Sequence, residues 1–184
     1  MVRIALILMM LIALLSATKP AEAGPAEEGW HEAGIRAGFQ EGTRDDYFHH
    51  YELFGVYGLP YDWRASSGWG VGTYVETSAG VLYGSNEAGF IGTVGPGLTI
   101  NKSGSNLALD IGINVNVMDR RRFGKQNFGS MLLFGAYLGA SYRIVKNIKV
   151  EYRILHMSNG HILYPNGTPN PGLDSHVVGV SWTF

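Results

Sequence analysis

Between Leu107 and Val117 the chain alternates without a break. Leu107, Leu109, Ile111, Ile113, Val115 and Val117 are apolar, while Ala108, Asp110, Gly112, Asn114 and Asn116 between them are small or polar. Successive strand side chains point to opposite faces, so this period of two predicts a β-strand with one greasy side. Residues 131–144 repeat the pattern, with Leu132, Phe134, Ala136, Leu138, Ala140, Tyr142 and Ile144 on one side and Gly135, Tyr137, Gly139, Ser141 and Arg143 opposite. Turn signals divide the remainder, and strands are predicted near 32–40, 46–58, 68–82, 87–101, 105–117, 129–144, 147–159 and 173–184. Tilted strands of about ten residues or more are long enough to cross a bilayer. Small residues and a carboxylate on the polar side suit the crowded interior of a narrow barrel. A tight turn at Lys146-Asn147 contrasts with longer connections at 118–128 and 160–172, the asymmetry usual in outer-membrane barrels. The pattern therefore predicts an all-β fold, an eight-stranded antiparallel up-and-down transmembrane β-barrel.

Composition narrows the setting. Of 184 residues, 26 are glycine, and 4 Trp, 10 Tyr and 8 Phe supply abundant rings, a balance that suits tightly curved β-structure. Cysteine is absent from the sequence, so neither disulfides nor thiolate metal sites are available. A net charge of −1 argues against nucleic acid as a partner. Ahead of the first strand, Arg3 and the apolar run 4–15 lead to Ala21-Glu22-Ala23, with small residues at the two positions a signal peptidase reads. That run is too short to span a bilayer as a helix, which takes about 20 residues. Residues 1–23 are expected to be a cleaved export signal and 24–184 the barrel, destined for the outer membrane of a Gram-negative cell. At the other end, Phe184, Trp182 and Gly179 resemble the C-terminal signal by which the barrel-insertion machinery recognises its clients. The competing architecture is a secreted lipid-binding β-barrel with its greasy face turned inward around a ligand.

Polar residues that interrupt the greasy faces are the candidate chemistry. Ile148, Val150, Tyr152 and Ile154 form the apolar face of one strand, and continuing the count places His156 and Ser158 on it. Counting back from Phe184 places His176 and Asp174 outward in the last strand. The two strands are antiparallel neighbours, so His156, Ser158 and Asp174 are expected on one patch of outer wall. Ten residues of strand separate Phe184 from Asp174, roughly 33 Å, or about 25 Å of height at the usual tilt. The patch then lies where acyl chains meet head groups. A hydroxyl, an imidazole and a carboxylate at that depth suggest acyl-ester hydrolysis. Ser158 would be the nucleophile, His156 its base, and Asp174 the group that fixes the imidazole tautomer. Asn159 and the amides around Gly160 are the candidate oxyanion donors.

The block His156-Met157-Ser158-Asn159, followed by the closing stretch 170–184, resembles the His-x-Ser-Asn block and last strand of the PagL-type lipid A 3-O-deacylases. The resemblance covers about the last 35 residues. It implies an eight-stranded outer-membrane barrel that removes the 3-linked hydroxyacyl chain from lipid A, the lipid anchor of lipopolysaccharide. It also implies a Ser-His-Glu triad on the lipid-facing outside, an oxyanion role for Asn159, and neither metal nor cofactor. His156 and Ser158 match by motif; the acidic position holds Asp174, one methylene shorter than glutamate.

Other polar residues carry milder expectations. Glu151 is a rival acid, but its parity points inward, toward Arg143, Lys149 and Arg153. His49 and His50 are adjacent, so they face opposite ways and suit a solvated rim better than a metal pair; His161 with His176 is the other pairing considered. Asp119-Arg120-Arg121-Arg122 reads as a loop charge run, with a grip on lipid A phosphates as the sharper reading. Trp63, Trp69, Tyr74 and Trp182 suit interfacial girdles. A non-enzymatic structural or adhesive barrel is the alternative function. Which acyl position is cut, and whether the barrel forms a homodimer, stay open at this level.

Overall fold

The computed structural model describes residues 28–41, 47–165 and 167–184, so the expected export signal lies outside the described residues. Eight long strands form the wall: β1 (Gly29–Gln40), β2 (His49–Arg64), β3 (Trp69–Gly84), β4 (Glu87–Lys102), β5 (Leu107–Met118), β8 (Leu132–Val145), β9 (Ile148–Ser158) and β10 (Leu173–Thr183). A two-stranded hairpin, β6 (Arg122–Phe123) and β7 (Gln126–Asn127), stands inside the β5–β8 connection. Every wall strand pairs antiparallel with its chain neighbour, and β10 returns to β1 to close the barrel. Full closure leaves no unpaired edge, as a sheet in hydrocarbon requires.

Each predicted strand is present within a few residues, with two departures. β2 runs on to Arg64, past an irregularity between Gly58 and Asp62 where the ladder to β3 breaks. Pro60 lies inside that break, which suits a residue with no backbone donor to give. The connection after β5 is folded instead of open, because Phe123 and Phe128 are buried and pack edge-to-face with each other and with Phe48.

The alternation sorts side chains as expected. Ile35, Leu53, Ile113 and Leu138 stand 60–68% exposed on the outer wall. This outward greasy face is the reverse of a secreted ligand-binding barrel. Inside, the middle of the barrel is filled by ion pairs. Arg36 donates to Glu76 at 2.6 and 2.8 Å and to Glu151 at 2.5 Å, and Arg153 donates to Glu76 at 3.0 Å and Glu151 at 2.7 Å. Of the partners expected for Glu151, Arg153 is one, whereas Lys149 pairs with Glu32 and Arg143 is exposed. Tyr74 belongs to this interior, with its hydroxyl 2.9 Å from that of Tyr137, and takes no part in a girdle. Trp30, Trp63, Trp69 and Trp182 remain exposed around the end that carries the short turns.

At the opposite end lie the connections β1–β2, β3–β4, β5–β8 and β9–β10. Three are long, but β3–β4 is a two-residue turn, Ser85-Asn86, with both residues at positive φ as a type I′ hairpin requires.

Candidate active site

Strands β9 and β10 deliver the polar outer patch. Asp174 is the direct cross-strand partner of His156, and no register shift interrupts the ladder from there to Trp182. The two side chains meet at 2.6 Å between Nδ1 and Oδ1 while remaining about half exposed, at 53% and 44%. A carboxylate can only accept, so His156 donates from Nδ1 and its Nε2 is left as the basic nitrogen. Ser158 follows two residues along the same face, about 6.6 Å further at the Cα. It sits opposite Phe134 of β8 and is half-buried. Among the described residues its hydroxyl makes no hydrogen bond, including none to His156.

The far edge of the imidazole faces the serine's level. Leu173 pairs with Met157 as the last rung of the ladder, and Gly172 precedes Leu173, just outside β10 on the side toward Ser158. A Cβ placed on Gly172 would lie 3.2 Å from His156 Cε1 and 4.0 Å from Nε2. The chain therefore comes close to the ring just where the basic nitrogen looks. Gly172 has φ +65, a conformation side chains disfavour, which adds a second reason for glycine here.

Asn159 does not join this patch as a donor. It is fully buried, continuing just past the end of β9 the inward face of that strand's odd positions. Its Nδ2 donates to the carbonyls of Phe128 (3.0 Å) and Pro169 (2.7 Å), and its Oδ1 accepts the His161 amide at 3.0 Å. Its own amide donates to Asn170 Oδ1 at 2.9 Å. With every donor engaged, the oxyanion role expected for the Asn159 side chain is replaced by a structural one, tying the β5–β8 connection to β9–β10. Gly160, next in the chain, is exposed at φ +60, and its amide has no protein acceptor among the described residues. Asn170 was not singled out from the sequence. Its side chain is oriented by the Asn159 amide, which leaves Nδ2 as a donor beside the serine's row; only its place in a Pro/Gly-rich connection marks it in the sequence.

The remaining histidines are accounted for separately. His49 points outward, edge-to-face with Phe39 and Tyr47, whereas His50 is buried inside, 3.8 Å from Glu52, and not on a solvated rim. His161 Nε2 donates to Thr168 O at 3.0 Å, and His176 Nδ1 bonds the Tyr152 hydroxyl at 2.7 Å, so the two do not pair. No group of three metal-binding side chains occurs among the described residues.

Comparison with known proteins follows the same lines. The fold matches the crystal structure of the outer membrane enzyme PagL with a TM-score of 0.66 at 21% identity, covering 81% of this chain and 97% of that one. It also matches the N-terminal β-barrel domain of Pseudomonas aeruginosa OprF, TM-score 0.56 at 13% identity over 85% of this chain and 100% of that one. Neisserial surface protein A is similar at TM-score 0.51 and 14% identity, over 88% and 100% of the two chains. No curated protein sequence gives a significant match. Residues 49–183 match the family model described as lipid A 3-O-deacylase (PagL). That match takes in nearly the whole wall and both strands that carry His156, Ser158 and Asp174, and the chain belongs to the PagL family of lipid A 3-O-deacylases.

Proposed function

We propose that this chain is a serine esterase of the outer membrane, exported by its N-terminal segment, that hydrolyses the 3-O-linked hydroxyacyl ester of lipid A in the outer leaflet. The observation that carries the reading is the 2.6 Å His156–Asp174 pair on the outer wall, with Ser158 on the same face one step toward the rim. Polar side chains on a lipid-facing surface are costly, and such an arrangement marks a working site.

In the proposed reaction Ser158 Oγ attacks the ester carbonyl as His156 Nε2 takes its proton. Asp174 keeps the imidazole in the tautomer whose Nε2 can accept, and stabilises the imidazolium that forms. The Gly160 amide and Asn170 Nδ2 are the donors proposed for the oxyanion. Collapse of the intermediate breaks the bond to the sugar oxygen, which leaves with the proton returned from His156. Water, activated by the same histidine, then releases the hydroxy fatty acid and regenerates the serine. The absence of a Ser158–His156 hydrogen bond without substrate is compatible with this scheme, since such contacts tighten in the Michaelis complex.

Mass spectrometry of lipid A from cells expressing the protein tests the reading. Loss of one 3-hydroxyacyl chain is expected with the native chain and none with Ser158→Ala or His156→Ala, each still inserted and heat-modifiable. An unchanged acyl pattern with the native protein inserted would leave a structural or adhesive barrel as the better account.

A further inference from the structure

The arginine run absorbed by none of this chemistry lines a cavity of its own. An open hollow of about 770 Å³ at the long-loop rim is bordered by Arg120, Arg121 and Arg122 on one side and by Met131, Leu132 and Tyr164 on the other. Arg120 is already neutralised, 3.1 Å from Glu87 and 3.6 Å from Asp119. Asp119 also lines the hollow, but Arg121 and Arg122 have no ion-pair partner among the described residues, so three arginines there face two carboxylates and a net positive charge remains.

The arginines stand on a rigid base. The β6–β7 hairpin is held by Arg122–Asn127 pairing, by Phe123 and Phe128, both almost fully buried, and by a bond from the Phe128 amide to the Arg121 carbonyl at 2.9 Å. Glu87 also accepts the Gly124 amide at 3.2 Å. Guanidinium groups presented from an ordered hairpin lose less freedom on binding than the same groups on a loose loop.

The hollow also adjoins the candidate active site. Leu132 is two residues rimward of Phe134, which faces Ser158, so the row of Leu132 lies about 6.6 Å above the serine's row. Tyr164 comes from the same connection as Asn170, and its hydroxyl is bonded to Ser130 in the neighbouring β5–β8 connection. A lipid whose ester lies at Ser158, with acyl chains running down the outer wall, has its sugar at this height.

We infer that Arg121 and Arg122 form a binding site for a phosphate carried on the sugar head group of the glycolipid substrate. Arginine's planar fork matches phosphate oxygens two at a time, and the apolar floor of Met131 and Leu132 suits the underside of a sugar. The site rests on the esterase reading and extends it. It makes the enzyme select a phosphorylated glycolipid, with the phosphate fixing which ester reaches Ser158.

Purified protein in neutral detergent micelles, assayed on phosphorylated and enzymatically dephosphorylated lipid A of the same acyl pattern, tests it. For the phosphorylated lipid, Arg121→Ala/Arg122→Ala is expected to raise KM roughly tenfold to a hundredfold with kcat little changed. For the dephosphorylated lipid it should change nothing. Arg121→Lys/Arg122→Lys should fall between, since lysine keeps the charge without the fork. Equal losses on both substrates, or none on either, would overturn the assignment. So would recovery of the native protein's activity on dephosphorylated lipid when a phosphate-bearing lipid that is not cleaved is added, which would place the phosphate on a neighbouring molecule. Native protein inactive on both substrates would instead overturn the esterase reading itself.

Discussion

Gly172 shows how little room the candidate site leaves. The backbone there takes φ +65, and the nearest side-chain atom to a new Cβ would be Cε1 of His156 at 3.2 Å. Gly172→Ala should therefore cost about 1–2 kcal/mol in backbone strain. It should also push the imidazole away from the serine's row, lowering kcat roughly tenfold to a hundredfold while the barrel still inserts. Thermal unfolding and turnover measured on the same preparation separate the two effects; full activity would show that the ring is free to move. His156, Ser158 and Asp174 were placed outward by parity alone, and their faces agree with the structure. Asn159, one residue past the end of β9, continues the inward odd face of Glu151, Arg153 and Met157, and the motif alone does not reveal that direction. The same count would have put Tyr74 and His50 inside.

Connections between strands obey no such period. The β5–β8 and β9–β10 loops are packed against each other through Asn159, whose amide spans Phe128 O and Pro169 O. At Gly129, φ +76, a Cβ would lie 2.1 Å from Pro169 O, so the two backbones are nearly in contact. Asn159→Leu removes three side-chain hydrogen bonds and strands the buried Phe128 carbonyl, the Pro169 carbonyl of a half-buried contact and the His161 amide. A loss of about 2–4 kcal/mol is expected, read as a lower unfolding temperature, with activity falling as the loop that carries Asn170 loosens. An unchanged melting temperature would show that water replaces the amide. None of this was readable beforehand, because loop contacts join residues about 30 apart and depend on positive-φ turns that composition only hints at.

Across the whole molecule, stability in the barrel's middle comes from paired charges. Arg36 and Arg153 face Glu76 and Glu151, a set of four side chains all less than a tenth exposed, with buried Glu52 a further 3.9 Å neighbour of Arg36. Glu76→Gln leaves two buried guanidinium groups sharing one carboxylate in that set. The expected cost is about 3–5 kcal/mol, visible as a lower temperature for the folded-to-unfolded gel shift and insensitive to added salt because the set is shielded from solvent. A salt-dependent loss would argue that water reaches it. Polar parity announced that charges lie inside, but partners 40 and 115 residues apart in sequence emerge only when the sheet closes.

The final strand has a double duty. β10 seals the cylinder by zipping onto β1, and it is also the bearer of Asp174, whose carbonyl accepts the Glu41 amide across that seam. The β9–β10 ladder alone brings Asp174 to His156; the seam adds a hold on the Asp174 backbone from its other side. On the proposed mechanism, the carboxylate behind the histidine is thus clamped between two neighbouring strands, and loosening the closure at this rim would unsteady the acid along with the wall.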